Sequence, residues 1–330
     1  MRFVGLVLIW TLLLVSCLWA VAAIAIDMSP IPWRIGALGI LAIAEMFILW
    51  RVRGAWRKGL IGFLPFVLVL AWWLSLAPSN NRPWQADVAE LPSAEIDGDK
   101  ITIHNLRNVD YRTELDYTPH WETRSYNLKD LRGIDLFITY WGSPWIAHPI
   151  LSFDFGQGGH LAISVETRKE VGEEYSALLG FFRQYELVYV LADERDLIRL
   201  RTNYRVGETV YLYRTVATPE TARAVLLGYL QTANQMVEQP VWYNAITSNC
   251  TTGIRIHTVG IEGTTAAPWN WRLLLNGKAD EYAYEKGRLV GDLPFDALKQ
   301  QAAINDVART ANDAPDFSEI IRRNRVGFGP

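Results

Sequence analysis

Of the two cysteines in the 330-residue chain, Cys250 stands where a thiol could do chemistry. Its surroundings, Ser248-Asn249-Cys250-Thr251-Thr252-Gly253, are a polar stretch running into a helix start. A sulfur placed there lies near backbone N–H groups and the positive end of a helix dipole, which lowers a thiol pKa. The competing reading is a buried structural cysteine, the commonest fate of a free thiol. A nucleophilic thiolate needs a base, and the histidines on offer are His104, His120, His148, His160 and His257. They lack metal-ligand spacing, and no HExxH, GxSxG, P-loop or CxxC signature occurs. The glycines around Gly156-Gln157-Gly158-Gly159 open no helix, so a nucleotide loop is not expected there. Neither metal nor cofactor is expected.

Strand arithmetic chooses among the histidines. His148–Asp154 and His160–Glu166 read as a hairpin around Gly156-Gln157-Gly158, whose glycines supply the positive φ such a loop requires. That register pairs Asp154 with His160, Phe153 with Leu161 and, further out, His148 with Glu166. Pro149, Leu151, Phe153, Leu161, Ile163 and Val165 then share an apolar face. The mostly polar face carries His148, Ile150, Ser152, Asp154, His160, Ala162, Ser164 and Glu166. A one-residue slip would mix the two faces. His148 and Glu166 come to lie opposite, with Cβ atoms roughly 5 Å apart, so the carboxylate could orient the imidazole. His160 is about 20 Å along the same strand from Glu166 and cannot use it; Asp154 is its alternative partner. His148 is therefore the preferred base, against the bland reading of an edge-of-sheet histidine.

The elements that must position these residues fall into two regions. About half of the chain is hydrophobic and its net charge is −3, which gives no general electrostatic reason to bind nucleic acid. The apolar residues concentrate in the first 79 positions as Val4–Ile26, Ile35–Trp50, which carries Glu45, and Leu60–Ala77. Runs of this kind can cross a hydrocarbon core of ~30 Å. Arg2, Arg51, Arg53, Arg57 and Lys58 put the amino terminus and the second loop in the cytoplasm, which delivers residues 80–330 to the far side. Leu14-Val15-Ser16-Cys17 fits a lipoprotein processing box, but an apolar continuation follows it. Glu45 is either an intramembrane functional acid or a residue facing the other helices. Cys250 is then the sole thiol of an exported domain, with no disulfide partner there.

Residues 80–330 read as α+β. Strands are expected at Lys100–His104, Gly133–Tyr140, His148–Asp154, His160–Thr167, Tyr185–Ala192 and Thr209–Tyr213. Helices are expected in part of Val171–Tyr185, over Pro219–Glu238, from Cys250, over Trp269–Tyr284, and over Phe295–Arg325 with a break near Pro315. Thr218 followed by Pro219 and Glu220 is a well-formed helix start.

The runs Ala147-His148-Pro149-Ile150-Leu151-Ser152-Phe153, Ser164-Val165-Glu166-Thr167-Arg168, Glu186-Leu187-Val188-Tyr189 and Asn249-Cys250-Thr251-Thr252 together resemble the Lnb-type N-terminal periplasmic domain family. Ala279-Asp280-Glu281-Tyr282, Ile304-Asn305 and Pro315-Asp316-Phe317-Ser318 add to the likeness, which covers roughly residues 95–325. The family is named for bacterial lipoprotein N-acyltransferases and is similar to circularly permuted papain-like (NlpC/P60-like) enzymes. The resemblance implies a permuted papain-like domain with a C-terminal helical extension. It implies Cys250 as nucleophile, His148 as base, Glu166 as orienting group, and the Cys250 N–H with the Asn249 side chain as oxyanion donors. Here the membrane helices precede the domain, whereas in the namesake enzymes they follow it.

These readings predict a thiol acyltransferase in the bacterial inner membrane, with its domain in the periplasm and phospholipid or lipoprotein as substrate. Trp269 and Trp271, with Pro268 and Leu273–Leu275, are either core or an interfacial lip for an acyl chain. A cysteine peptidase or amidase acting on cell-wall peptides would use the same residues with water as acceptor. A non-catalytic binding or scaffold domain would keep the fold and leave the thiol inert.

Overall fold

The computed structural model describes residues 2–258, 272 and 276–329. Contacts divide the chain into two compact units, Met1–Ser79 with Tyr175–Tyr185, and Asn80–Glu174 with Glu186–Pro330.

The first unit is built on α1 (Arg2–Asp27), α2 (Ile31–Arg51), α3 (Ala55–Ile61) and α4 (Phe63–Ser75). Arg2–Asp27, Ile31–Arg51 and the joined α3–α4 stretch Ala55–Ser75 are each long and apolar enough to cross a membrane. Helix α3 starts inside the basic stretch expected to be a loop, so Arg57 and Lys58 are helical. Small residues allow α1 to approach α3 and α4 closely: a Cβ on Gly62 would meet Leu13 Cδ2 at 2.8 Å, and one on Gly59 would meet Ile9 Cγ2 at 3.1 Å. Cys17 lies in the middle of continuous α1, and its thiol donates to Glu45 Oε1 at 3.6 Å. Glu45 thus faces a neighbouring helix.

The second unit is α+β. Its strands are β1 (Ser93–Asp97), β2 (Lys100–Arg107), β3 (Asp110–Tyr111), β4 (Tyr117–Thr118), β5 (Trp121–Asn127), β6 (Gly133–Trp141), β7 (Ala147–Asp154), β8 (His160–Arg168), β9 (Glu186–Ala192) and β10 (Glu208–Arg214). Eight of them form one sheet in the order β1-β2-β9-β8-β7-β6-β10, with β5 on β2; β3 and β4 pair separately. Its helices are α5 (Glu194–Arg199), α6 (Pro219–Glu238), α7 (Cys250–Thr258), α8 (Ala279–Glu285), α9 (Phe295–Ala302), α10 (Asn305–Thr310) and α11 (Phe317–Ile320).

The long periodic elements form where the residues predict them. Helix α6 begins at Pro219 with the Thr218 hydroxyl accepting from Thr221 N–H at 3.2 Å. The exception is Val171–Tyr185, which holds turns and a short 3-10 stretch, Leu179–Phe181, instead of an α-helix. The Trp269–Tyr284 expectation lies mostly outside the described residues; within them its end is α8. The late helical run is broken twice, after Ala302 and after Thr310.

The face of the sheet expected to be polar is in fact buried. Phe137, Ile150, Ala162, Val188, Val190 and Leu212 on that face pack with Leu197 and Ile198 of α5 and with Ile304, Ala308 and Phe317 of the C-terminal helices. Covering such a face forces its polar side chains into partnerships. The hub is Arg322, whose guanidinium donates to Asp135 Oδ2 at 2.9 and 2.7 Å and to both Glu194 oxygens at 2.8 and 2.6 Å. Ser152 donates to Glu194 Oε1 at 2.5 Å, and Arg214 bridges Asp135 at 3.0 Å and Asp154 at 2.8 Å. The two carboxylates on Arg322 are fully buried.

Removing the cation would leave those carboxylates without their main partner, so Arg322→Leu is expected to destabilise the domain by about 3–5 kcal/mol. Thermal unfolding of the detergent-solubilised chain should fall by roughly 10 °C. Adding Glu194→Gln to Arg322→Leu should restore part of that loss, and additive losses would show that the hub carries no such coupling.

Candidate functional site

The site is organised around a proline. In β7, the Asp154 carbonyl accepts from Arg132 N–H on the β6 side, at 2.8 Å, while Phe155 N–H donates to the Gly159 carbonyl on the β8 side, at 2.9 Å. By alternation, odd-numbered residues of β7 turn their backbone groups toward β8. The β7–β8 ladder runs through Asp154–His160, Phe153–Leu161 and Leu151–Ile163 in the expected register and stops there. The next bonded position is Pro149, which has no N–H to give. On the other side β7 stays paired with β6 through His148–Thr139 and Ala147–Tyr140. The two strands of the hairpin therefore part beside His148.

Because the ladder ends early, His148 and Glu166 meet through a third residue. His148 Nε2 lies 2.7 Å from Ser164 Oγ, and the Ser164 hydroxyl donates to Glu166 Oε1 at 2.7 Å. The direct His148 Nε2–Glu166 Oε1 distance is 3.8 Å. A hydroxyl has one proton to donate, and here its hydrogen bond goes to the carboxylate. Nε2 of His148 must then be the donor to Ser164, which leaves Nδ1 with its lone pair. Arg201 closes the chain by donating Nη2 to Glu166 Oε1 at 2.8 Å and Nη1 to the Leu197 carbonyl at 3.1 Å. It comes from a π-helical turn, Leu200–Tyr204, that continues α5.

The charges follow from this packing. Burial alone would raise the Glu166 carboxyl, but Arg201, then His148, Arg107 and Arg205, hold it well below its ordinary value. Burial, then Arg201, pushes His148 down to about 3 against the opposing pull of Glu166. The imidazole is thus neutral near pH 7.

Cys250 opens α7. Asn249 acts as the cap: its Oδ1 accepts from Thr251 N–H and Thr252 N–H, both at 3.0 Å, while its Nδ2 donates to the Ala245 carbonyl at 2.6 Å. The amide of Asn249 is therefore occupied. Asn276 is the amide that faces the sulfur. Its Nδ2 lies 3.7 Å from Cys250 Sγ and 3.3 Å from Thr251 Oγ1, and its Oδ1 accepts from Ala147 N–H at 2.8 Å. Gly277, next in sequence, has no room for a side chain: a Cβ there would meet the Pro144 carbonyl oxygen at 2.4 Å. Gly253 likewise lets α7 close on the sheet, its missing Cβ standing 3.1 Å from Val165 Cγ2.

Contrary to the helix-start expectation, burial dominates the thiol. It pushes Cys250 up to about 11, only partly offset by hydrogen bonds from Thr251 and the Cys250 backbone. Val165, under α7, alternates with Ser164 and Glu166, so α7 and the Glu166 chain lie against opposite faces of the sheet. Among the described residues no hydrogen bond joins Cys250 Sγ to His148. The His160–Asp154 pair, at 3.8 Å, sits at the other end of β7 in the Arg214 network. His257, further along α7, packs on Tyr229 and lies 3.1 Å from the Tyr189 hydroxyl through Nε2. No group of three or more possible metal ligands gathers among the described residues. The proposed tryptophan lip, Trp269 and Trp271 with Leu273–Leu275, lies outside the described residues.

Residues 117–277, from the first residue of β4 to the turn that carries Asn276, match the family of Lnb N-terminal periplasmic domains. The chain carries an Lnb N-terminal periplasmic domain. His148, Ser164, Glu166, Arg201, Asn249, Cys250 and Asn276 all fall inside the matched span. Neither a curated protein nor a solved structure matches the chain. Ser164 was legible only as a position on the right face, whereas Arg201 and Asn276 left no local signal.

A histidine held neutral in the folded state and free to protonate when unfolded makes stability fall on acidification. His148, near 3 when folded, and His257, pushed down by burial to about 4, both act in this direction below their unfolded value of 6.5. Stability should thus be at its full level above pH 6.5 and decline toward pH 4.5, by at most about 1.4 kcal/mol per pH unit for each histidine. His148→Asn should roughly halve that slope in unfolding experiments. An unchanged slope would mean that His148 is not held neutral.

Proposed function

We propose that the Lnb domain of this chain is a thiol acyltransferase of the periplasmic side of the bacterial inner membrane, with Cys250 as nucleophile and His148 as base. The observation that carries the reading is Asn276, one side chain that touches the Cys250 sulfur and also takes the N–H of Ala147, the residue before His148. The gap left by Pro149 is the route by which the Nδ1 lone pair would reach the thiol. Glu166, through Ser164, fixes the tautomer that makes Nδ1 the base. The chain order His148, Glu166, Cys250 is similar to that of the permuted papain-like enzymes which the family resembles. The three apolar helices supply the membrane anchor and argue for a phospholipid acyl donor.

In this reaction Nδ1 takes the thiol proton as sulfur attacks the ester carbonyl. The oxyanion is met by Asn276 Nδ2 and the Cys250 N–H, with Asn249 acting as the cap that holds them. Collapse expels the lipid alcohol, which recovers the proton, and leaves a thioester. An amine, such as a diacylated lipoprotein amino terminus, then attacks the thioester and returns a proton to sulfur through His148. With a cell-wall peptide as acyl donor and water as acceptor, the same residues would make a peptidase or amidase. The buried, protonated thiol favours a second reading, a non-catalytic binding domain in which Cys250 is structural.

The test is intact-protein mass spectrometry of the detergent-purified chain after incubation with phospholipid. An acyl-sized adduct removable by hydroxylamine is expected. Cys250→Ala should abolish it, and His148→Ala should slow its formation by about 100-fold or more. The alkylation rate of Cys250 in resting protein should keep rising beyond pH 9, as a thiol near 11 requires. No adduct and no alkylation at any pH would leave the binding-domain reading standing.

A further inference from the structure

The connection between β8 and β9 belongs to the helical unit instead of the sheet. Its residues, Tyr175-Ser176-Ala177-Leu178-Leu179-Gly180-Phe181-Phe182-Arg183-Gln184-Tyr185, carry no charge before Arg183. Arg183 is the anchor. Its N–H donates to Asp27 Oδ2 at 3.3 Å, and its guanidinium donates to the Leu74 carbonyl at 3.3 Å and to the Leu76 carbonyl, both at the end of α4. The guanidinium also lies 4.5 Å above the Trp73 ring, whose own N–H donates to Asp27 at 2.7 Å. Phe182 turns inward and stacks with Trp19 of α1, ring centroids 6.4 Å apart.

Depth can be read along α1. Trp19 precedes Asp27 by about 12 Å of helix, and a 26-residue helix is about 39 Å long against a ~30 Å hydrocarbon core. Centred in that core, α1 projects about 4–5 Å on each side, so Trp19 and the ring stacked on it lie below the boundary. Meanwhile Leu178 and Phe181 point outward, 66% and 43% exposed. The backbone around them is hydrogen-bonded within the segment: Ser176 N–H to the Tyr185 hydroxyl, Leu179 N–H to Ser176 Oγ, and Gly180, Phe181 and Phe182 N–H to the carbonyls of Ser176, Leu178 and Leu179. Internal hydrogen bonding of this kind lowers the cost of bringing the segment's backbone against lipid.

We propose that Tyr175–Tyr185 is an interfacial membrane element that seats Leu178 and Phe181 in the leaflet on the domain's side of the bilayer. Its occupant is the phospholipid surface covering the helices, because the exposed pair belongs to the same unit as the exposed apolar residues of those helices. An apolar loop held under a Trp–Arg–Asp cluster has the composition of a membrane–water boundary. The element is a third attachment besides the spans and the exit at Ser79, and it holds whether or not Cys250 reacts.

The experiment uses the full chain in a Cys17→Ala, Cys250→Ala background, reconstituted at high lipid-to-protein ratio in phosphatidylcholine–phosphatidylglycerol vesicles. Leu178→Cys, Phe181→Cys and, as control, Val206→Cys are each labelled with bimane; Val206 is 97% exposed and lies in the other unit. Lipids carrying a shallow doxyl group should quench positions 178 and 181 at least about threefold more than position 206, with iodide in water showing the reverse order. Equal iodide quenching at all three positions would overturn the proposal. Protection of 178 and 181 from both quenchers would also overturn it, since protein and not lipid would then cover them.

Discussion

A carboxylate set into a buried sheet face has to be held by a cation, and much of this domain is arranged around meeting that demand at Glu166. Burial works against the charge; Arg201 restores it. Arg201 reaches it from the π-helical turn into which α5 directly passes. Once ionised, Glu166 accepts a hydrogen bond from the Ser164 hydroxyl, and Ser164 then sets the His148 tautomer. The same rule governs the far end of the face, where Asp135 and Glu194 share Arg322. The C-terminal extension is therefore part of the electrostatic design of the sheet and not an appendage to it.

A second constraint comes from one missing hydrogen. The β7–β8 ladder is regular until the position where Pro149 should donate, and there it ends. A continuous ladder would have placed His148 and Glu166 side by side and sealed the sheet between them and α7. The interruption instead separates the strands where Asn276 ties Ala147 to the Cys250 sulfur. The glycines beside these residues serve the same end: Gly277 has no space for a methyl group against the Pro144 carbonyl, and a Cβ on Gly253 would press on Val165 Cγ2 at 3.1 Å.

The sequence was informative where a pattern is local. Strand-like runs gave five strands to within one residue at each end and β2 three residues short, while β1 and β5 went unread; the hairpin glycines gave the register over Leu151–Asp154, and Thr218-Pro219 gave the start of α6. It was uninformative where a partner is remote. Arg201 is 35 residues from Glu166 and Asn276 is 26 from Cys250, and nothing in their neighbourhoods marks them. Burial was the second blind spot. Ser152, Asp154, Ser164 and Glu166 look like a solvated face, yet α5 and the late helices cover it, which only the tertiary fold decides. The same blindness reversed the expected direction at Cys250, where the helix start was visible and the low-dielectric surroundings were not.

Those surroundings also constrain the kind of chemistry open to the site. Burial raises the Cys250 thiol and lowers the His148 imidazole, so both shifts favour the neutral pair over thiolate and imidazolium. A preformed ion pair, the resting state of many thiol enzymes, is thus the less stable arrangement here. Proton transfer would have to accompany attack on the acyl carbonyl, when the charge leaving sulfur is received by the oxyanion donors. Catalysis of that form depends on the lone pair at Nδ1 being aimed correctly, more than on its basicity. In the proposed mechanism that is the part of Glu166 and Ser164, which would fix the ring and its tautomer, while Arg201 holds Glu166 ionised.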